Sequence, residues 1–314
     1  MLPAVELEAF EAALAAELRS DVGFIQAIGD ELVSAGGKRL RPTLALLTGR
    51  LTGCDPQLAT TAALAVELLH SASLLHDDLI DDAATRRGTQ SAFLRYGNVV
   101  SVMSGDFMLA RVLGLLARSG SEQFIRLMAH AAAALCEGEV LQFQTATLQD
   151  WSFAGYRRII EGKTAELLAA ATEGVGVLAG LDEDLCAALR RFALAYGRAF
   201  QLRDDYLDLL GDAAQLGKPV GGDLKEGKAT YPVLLLVVEA GNEEARTILM
   251  RHGGSDGDIE RMIALVREHG ADRRTLELIS QEVDSALAEL AVFPASDARD
   301  ALAALVERER TRLL

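Results

Sequence analysis

The sequence predicts an all-α fold made of long helices, and three observations support this. Apolar residues recur three and four positions apart between Pro56 and Pro219, which is the spacing of one helix face. No proline interrupts that interval, and the strong helix formers Ala and Leu dominate it. Alternation of apolar and polar residues, the sign of a half-buried strand, is absent.

The individual helices follow from where this pattern starts and stops. We expect them over residues 55–82, 98–117, 121–144, 152–180 and 182–212. Three of these ranges start with a capping residue, at Ser121, Ser152 and Asp182. Glycines stand where the pattern stops, at Gly88, Gly120, Gly180 and Gly211. Because no linker rich in Pro, Gly or Ser divides the chain, we expect a single domain over residues 1–314.

Composition limits the possible classes of function. Hydrophobic residues make up 50% of the chain but aromatic ones only 5%, so Ala, Leu and Val must form the core. The net charge of −15 argues against a nucleic-acid partner. Cys54, Cys136 and Cys186 lack paired spacing, and we expect buried, reduced thiols in the cytoplasm. The acidic N-terminus resembles no signal peptide, and we expect no membrane-spanning segment.

An unusual concentration of charge lies in the stretch LLHDDLIDDAATRRG, residues 74–88. On a helix, Asp77 and Asp81 share one face, and Asp78 and Asp82 share another. Like charges at this spacing repel one another unless a cation lies between them. Magnesium is typically held by one or two carboxylates together with water and phosphate oxygens, so the row is a candidate metal site. For this stretch in isolation, a solvated acidic face is the alternative.

A second acidic cluster makes the metal site the better interpretation. The stretch QLRDDYLDLLGD, residues 201–212, again contains DDxxD, formed by Asp204, Asp205 and Asp208. Two such clusters on two apolar helices of one bundle can face a shared cavity and hold divalent ions around a polyphosphate.

The lysines point to the same chemistry. The chain contains 26 arginines but only five lysines, at Lys38, Lys163, Lys218, Lys225 and Lys228. Each lies in glycine-containing sequence, and a compact ammonium group beside flexible backbone is typical of phosphate sites. For any one of these residues, an ordinary surface lysine is the alternative.

The motifs together resemble those of the trans-prenyltransferases, the all-α isoprenyl diphosphate synthases. GGKRLRP, ELLHSASLLHDDLIDDAATRRG, GDFMLARV, EGEVLQ, GKTAEL, FQLRDDYLDLLGD and LGKPVGGDLKEGKATYP occur in the family's order over residues 36–233. The resemblance implies the isoprenoid synthase fold, a bundle of mostly antiparallel helices around a central cavity. It also implies that isopentenyl diphosphate is added head to tail to an allylic diphosphate.

The resemblance also implies a role for each site residue. Three magnesium ions would be ligated by Asp77, Asp81 and Asp204, supported by Asp78, Asp205 and Asp208. The allylic diphosphate would be bound by Arg86, Lys163, Lys218 and Lys228. Isopentenyl diphosphate would be bound without metal by Lys38, Arg41, His70 and Arg87. Thr164 and Gln201 would direct oxygen dipoles at the allylic cation. A homodimer is implied as well, and the membrane would be contacted only transiently, during product release.

Product length depends on the residues upstream of Asp77 on the same helix. By the family's pattern, the growing chain would pass Ala72 and Ser73, then Leu68 and Leu69, then Ala65 and Val66. The first level carries no aromatic residue to block the chain. We therefore expect a long product, of heptaprenyl to decaprenyl length and centred on octaprenyl, of the kind used for quinone side chains and started from farnesyl diphosphate.

Two alternatives remain open, a short-chain synthase and a non-catalytic partner subunit, whereas two other classes fit the motifs poorly. A geranylgeranyl or other short-chain synthase has the same motifs, and a non-catalytic partner subunit would share the fold but would be expected to lose aspartates or basic residues. A class I terpene cyclase also uses an aspartate-rich helix but lacks GGKRLRP. A di-iron bundle needs two Glu-x-x-His motifs, and only Glu67 to His70 provides one.

Overall fold

The computed structural model describes residues 4–34, 37–80, 85–86, 89–212 and 219–312, with Ala4, Arg86 and Thr89 described by their backbones alone. The helices of the N-terminal half are α1 Ala4–Glu17, α2 Gly23–Ser34, α3 Leu40–Thr52, α4 Pro56–Ile80, α5 Ala92–Tyr96, α6 Asn98–Ser119 and α7 Glu122–Leu148. The next are α8 Phe153–Ile160, a π-helical turn Glu161–Ala165, α9 Glu166–Leu178 and α10 Glu183–Leu210.

Shorter helices complete the C-terminal part of the chain. They are α11 Gly222–Lys225, α12 Tyr231–Leu234 with a π-helical turn Leu235–Glu239, α13 Glu243–Met250, α14 Asp258–Glu268, α15 Ala271–Leu290, α16 Asp297–Glu307 and a 3-10 turn Arg308–Arg310. In the described ranges, strand structure is confined to β1 Thr85–Arg86 and β2 Thr89–Gln90, which pair antiparallel. The all-α prediction is confirmed.

The chain divides into two compact units. Unit 1 comprises Met1–Ala129, Ala170–Cys186 and Ser296–Ala301, and unit 2 comprises His130–Ala169, Ala187–Ala295 and Leu302–Leu314. The expectation of a single domain stays a prediction.

In unit 1, α4 is the central helix and packs mainly against α6 and α3. Its inner face is built from small apolar side chains such as Ala62, Ala65 and Val66, all fully buried. In unit 2, an apolar cluster joins Leu209 near the end of α10 to side chains of the segments that follow, among them Leu224, Val233 and Leu249. This cluster supports the end of α10, where the second acidic motif lies.

The predicted helix starts are confirmed by their hydrogen bonds. Ser121 Oγ accepts from the amide of Phe124 at 3.2 Å, Ser152 Oγ from that of Gly155 at 3.0 Å, and Asp182 Oδ1 from that of Leu185 at 2.9 Å. The expected helix over residues 152–180 contains the π-helical turn Glu161–Ala165, which periodicity did not predict.

One expectation about the cysteines was wrong. Cys54 and Cys186 are buried free thiols, but Cys136 is exposed. It lies on the solvent-exposed side of α7, where the apolar pattern in this Ala-rich helix does not mark a single inner face.

Two helices in the described part of the chain, α4 and α6, are long and apolar enough to cross a membrane by length and composition. In α4, 67% of the most apolar window is buried inside the protein, as in an ordinary core helix, whereas in α6 the buried share is 39%. The difference reflects an apolar stripe on α6 formed by Val99, Met103 and Leu113, whose side chains are exposed.

Candidate active site

The first two aspartates of the first acidic motif lie in α4, in unit 1. Asp77 is partly exposed, whereas Asp78 is 3% exposed. Neighbouring negative charges disfavour one another, and a cation bound beside them would offset that repulsion. Asp81 and Asp82 lie outside the described residues.

The partly exposed side of α4 extends upstream from Asp77. His70, Ser73 and Leu74 share this exposure, and their spacing of three and four residues places them on one face with Asp77. Ser73 Oγ donates to the carbonyl oxygen of His70 at 2.9 Å.

The four residues predicted to control chain length differ in accessibility. Leu68 and Ala72 have no exposed surface and Leu69 is 6% exposed, whereas Ser73 is partly exposed. Of these four, Ser73 therefore lies on the accessible face.

The GGKRLRP segment of unit 1 leads into α3. Lys38 is exposed, Arg39 is buried and Arg41 is partly buried. The predicted ligands of isopentenyl diphosphate on this segment are thus accessible, and the arginine between them is not. Arg87 lies outside the described residues.

The second acidic motif occupies the end of α10, in unit 2. The side chain of Asp204 is 40% exposed, and its Oδ1 accepts from Arg312 at 2.6 Å. Arg312 also donates through Nε to Glu309 Oε2 at 2.6 Å. Asp208 accepts the backbone amide of Asp223 at 2.9 Å through Oδ2.

Asp205 is buried and hydrogen-bonded through both carboxylate oxygens. The Tyr156 hydroxyl donates to Oδ2 at 2.7 Å, and Gln201 Nε2 donates to Oδ1 at 2.7 Å. Burial is the main cause that raises the pKa of Asp205 to about 8, and the negative charge of Asp223 adds to it. The two hydrogen bonds act in the opposite direction and lower this pKa. Burial and the neighbouring Asp205 raise the pKa of Tyr156 well above its usual value, so Tyr156 remains a donor.

The GKTAEL motif lies in the π-helical turn Glu161–Ala165, a type of turn often found at functional sites. Lys163 Nζ is 2.8 Å from Glu139 Oε1 and 3.0 Å from Gln142 Oε1, both on α7. Thr164 Oγ1 donates to Gln201 Oε1 at 3.0 Å. Since Gln201 Nε2 is engaged by Asp205, the orientation of its amide is fixed at both ends.

Two glycines allow the helices of this site to approach closely. A Cβ atom at Gly138 of α7 would lie 2.9 Å from the backbone nitrogen of Lys163, and one at Gly197 of α10 would lie 2.5 Å from Ala165 Cα. Both distances are too short for a side chain, so glycine at these positions lets α7 and α10 hold the turn that carries Lys163 and Thr164.

Several of these groups line a cavity of about 170 Å³ within unit 2. Its charged and polar lining includes Gln142, Tyr156, Lys163, Gln201, Asp205, Asp223 and Lys228, and its apolar lining includes Trp151, Ile159, Ile160 and Leu234. Two lysines and two aspartates thus share one small cavity, a composition that suits a diphosphate held partly by ammonium groups and partly through a metal.

Of the predicted residues, the structure brings Lys163, Gln201, Asp205 and Lys228 together around this cavity. Thr164 joins them through its hydrogen bond to Gln201. It does not describe Lys218, and it describes Arg86 by its backbone alone. From the sequence, no role was assigned to Glu139, Gln142, Tyr156, Asp223 and Arg312. Three of these offered a signal, because Glu139 and Gln142 stand in the motif EGEVLQ and Asp223 stands in the glycine-rich GGDLKEGK segment.

Within the described ranges, no group of three or more His, Cys, Asp or Glu side chains encloses a metal site by itself. Magnesium does not need such a cage, because it keeps several waters and takes oxygens from substrate phosphates. Asp77 in unit 1 and Asp204 in unit 2 are each partly exposed carboxylates, the kind of oxygen donor that magnesium prefers. In each unit, the residues present therefore fit magnesium that is bound together with a diphosphate.

Comparisons with known proteins agree with this chemistry. The sequence profile of the polyprenyl synthetase family matches residues 22–266. Octaprenyl diphosphate synthase of Escherichia coli (strain K12) is 36% identical over 315 residues, covering 98% of this chain and 98% of that protein.

Solved structures are also similar. A polyprenyl synthase from Caulobacter crescentus CB15, complexed with calcium and isoprenyl diphosphate, has a TM-score of 0.91 and 40% sequence identity, covering 99% of this chain and 95% of that one. A decaprenyl diphosphate synthase from Rhodobacter capsulatus has a TM-score of 0.91 and 35% sequence identity, and the match covers 99% of this chain and 97% of that one.

Proposed function

The chain belongs to the polyprenyl synthetase family, and we propose that it condenses isopentenyl diphosphate with an allylic diphosphate, preferably farnesyl diphosphate, to make a long-chain all-trans polyprenyl diphosphate for quinone side chains. The observation that carries this proposal is the unit 2 cavity, in which Lys163 and Lys228 lie with Asp205, Asp223 and Gln201. Relatives that make octaprenyl and decaprenyl diphosphates support the long product.

Lys163 and Lys228 bind the allylic diphosphate in this proposal, together with Arg86 and Lys218. The Glu139 and Gln142 oxygens, at 2.8 and 3.0 Å from Lys163 Nζ, hold the ammonium group at the cavity wall. A fixed cation stabilises the charge that develops on the departing diphosphate without reorganising during the reaction.

Magnesium, when bound, neutralises the diphosphate leaving group and so makes cleavage of its carbon–oxygen bond possible. In this proposal, three magnesium ions bind, and their protein ligands are Asp77, Asp81 and Asp204. Asp78, Asp205 and Asp208 support these ligands. For Asp205 this follows from its hydrogen bonds, because Tyr156 and Gln201 already occupy one oxygen each.

Thr164 and Gln201 stabilise the allylic cation. The Gln201 carbonyl oxygen accepts from Thr164 at 3.0 Å, and both oxygens belong to groups fixed by the π-helical turn and by Asp205. Oxygen dipoles fixed in place lower the energy of a nearby carbocation. Lys38, Arg41, His70 and Arg87 bind isopentenyl diphosphate, whose double bond attacks that cation, and the released diphosphate takes up the proton that is lost.

Product length follows from the accessible face of α4. Ser73 lies one turn, or about 6 Å, upstream of Asp77 on that face. A serine leaves room for a growing chain, whereas an aromatic side chain at this level would block it. We therefore place the first chain-length position at Ser73 in preference to the fully buried Ala72.

We further propose a cytoplasmic homodimer, supported by the exposed stripe of Val99, Met103 and Leu113 on α6. Exposed apolar side chains grouped on one helix face are typical of a protein–protein interface. Leu113→Glu, at a side chain 68% exposed, should produce monomers in light scattering. A parent protein that is itself monomeric would contradict this assignment.

The function is tested by incubating the purified protein with magnesium, farnesyl diphosphate and isopentenyl diphosphate and weighing the product. We expect an octaprenyl-sized product, and none after chelation or in Asp77→Ala and Asp204→Ala. A geranylgeranyl product would contradict the long-chain proposal alone, whereas turnover without divalent metal would contradict the mechanism.

A further inference from the structure

Arg39 lies between two predicted ligands of isopentenyl diphosphate but is unlike them. Lys38 is exposed and Arg41 partly buried, whereas Arg39 is 5% exposed. Its backbone has φ 43° and ψ 39°, in the left-handed region. Residues other than glycine, asparagine and aspartate rarely adopt this conformation, because the Cβ atom approaches the following carbonyl. Other contacts must therefore hold Arg39 in place.

Those contacts come from three helices of unit 1. Arg39 Nε and NH2 donate to the two carboxylate oxygens of Glu11 on α1, at 2.6 and 3.0 Å. NH1 donates to Glu67 Oε1 on α4 at 2.7 Å. NH2 also donates to the carbonyl oxygen of Leu32 on α2 at 3.2 Å. These bonds engage four of the five guanidinium N–H donors.

Arg39 therefore cannot serve as a further diphosphate ligand. Its side chain is 3% exposed, and its donors point to protein oxygens. Burial by itself lowers the pKa of Arg39, but the hydrogen bonds to Glu11 and Glu67 outweigh it, so the pKa is raised and the group stays charged. A buried charge with such partners holds a defined geometry, because each bond is directional.

The bond to Glu67 links the two parts of the predicted isopentenyl diphosphate pocket. Glu67 precedes His70 by three residues, so both lie on neighbouring positions of one face of α4. The backbone of Arg39 in turn lies directly beside Lys38 and two residues before Arg41. One guanidinium thus fixes the GGKRLRP segment to the helix that carries His70.

We propose that Arg39 is a positioning residue. It fixes the positions of Lys38 and Arg41 relative to His70, so that all three can bind the diphosphate of the isopentenyl substrate. The inference rests on the pocket assigned under the proposed function. It also gives α1 a role in substrate binding, because Glu11 completes the arrangement although no motif includes it.

The variants Arg39→Lys and Glu67→Gln test the proposal. A lysine keeps the charge but cannot bond Glu11 at two points and Glu67 at a third. Glutamine keeps the shape and an acceptor but removes the charge. Arg198→Ala is the matched control, because the Arg198 side chain is 14% exposed and bridges Glu161 at 3.1 Å and Glu282 at 2.7 Å in unit 2.

The primary measurement is calorimetric binding of isopentenyl diphosphate in the absence of divalent metal. We expect Arg39→Lys to raise its Kd by about tenfold, since binding groups that lose their preorganised positions lose affinity on this scale. Glu67→Gln should raise the Kd by a smaller factor. The KM for isopentenyl diphosphate should rise in parallel, with the KM for farnesyl diphosphate and kcat at saturation little changed. Arg198→Ala should leave the Kd for isopentenyl diphosphate near that of the parent.

Lys38→Ala and Arg41→Ala separate the two levels of the argument. If these variants bind isopentenyl diphosphate normally, the pocket assignment fails and the positioning role fails with it. If they lose binding while Arg39→Lys and Glu67→Gln do not, only the positioning role fails. Equal weakening by Arg39→Lys and Arg198→Ala, together with equal loss of melting temperature, would also overturn it, because general destabilisation would then explain both.

Discussion

Asp205→Asn should stabilise the metal-free protein while impairing the enzyme. Asp205 is 5% exposed, and burial together with Asp223 raises its pKa from 3.8 to about 8. In the unfolded chain the carboxyl loses its proton near pH 4, whereas in the folded protein it keeps that proton up to about pH 8. The folded state therefore binds more protons throughout this window, and its stability falls as the pH rises.

The size of the effect follows from linkage. Each pH unit in the window lowers the free energy of unfolding by about 1.4 kcal/mol, so the loss between about pH 5.5 and 7.5 is roughly 3 kcal/mol. Asparagine has no such proton to lose. It also keeps the same shape, and the Tyr156 hydroxyl, which now donates to Asp205, can accept from an amide instead.

The assay is chemical denaturation in the presence of a chelator at both pH values. The stability of Asp205→Asn relative to the parent should increase by roughly 3 kcal/mol between them. Asp204→Asn is the control, because the Asp204 side chain is 40% exposed and its loss relieves no comparable burial. With magnesium, turnover of Asp205→Asn should fall by about 10- to 100-fold, as expected for loss of a group that supports a metal ligand. An equal stability difference at both pH values would refute the reasoning.

Three further outcomes are expected. Arg312→Ala should raise the magnesium concentration needed for half-maximal turnover by about tenfold, because Asp204 loses its partner at 2.6 Å. Arg310→Ala should leave that concentration unchanged, and an unchanged magnesium titration of Arg312→Ala would contradict this prediction. Ser73→Phe should shorten the product as read by mass spectrometry, because Ser73 lies on the accessible face of α4, and an unaltered product would show that the chain passes elsewhere. Gly138→Ala should lower the free energy of unfolding by about 1–3 kcal/mol in denaturant melts, because its Cβ would lie 2.9 Å from the Lys163 nitrogen; a stability like that of the parent would argue against tight packing there.

The helices could be predicted because their signals are local. Ser121, Ser152 and Asp182 cap the amide groups of the next turn, and such a contact depends on a few neighbouring residues only. The acidic motifs were identifiable for a similar reason, since charge repeated at a helical spacing requires a partner. The π-helical turn Glu161–Ala165 escaped prediction because the apolar periodicity continues through it, and its close contacts with α7 and α10 come from distant parts of the chain.

Residues that support the site were missed for the opposite reason. Tyr156 and Asp205 are 49 positions apart, and Arg312 and Asp204 are 108 apart. Nothing in the sequence around Tyr156 or Arg312 distinguishes either residue from an ordinary tyrosine or arginine. Their importance arises only when folding brings them to a carboxylate, and a pattern within one short segment carries no trace of that contact. Arg39 was part of a recognised motif, yet only the structure separates it from its neighbours Lys38 and Arg41 by burial.

The two acidic motifs have one further property in common, which explains why each begins with two aspartates. Consecutive residues on a helix point about 100° apart, so two adjacent aspartates cannot both face the same opening. In α4, Asp77 is partly exposed and Asp78 is 3% exposed; in α10, the Asp204 side chain is 40% exposed and Asp205 is 5% exposed. The first aspartate of each pair is thus accessible to a metal, and the second is packed inside its own unit.

This difference assigns separate tasks to the paired carboxylates. An accessible carboxylate can exchange water for a metal, but an exposed side chain has several rotamers, and ordering it costs conformational entropy. A buried neighbour with fixed partners, such as Asp205 with Tyr156 and Gln201, restrains the local backbone, and it adds negative potential beside the ligand once a bound cation lowers its pKa. We infer that each doubled aspartate combines one metal ligand with one support. The burial cost that raises the pKa of Asp205 is therefore offset when a cation binds next to it.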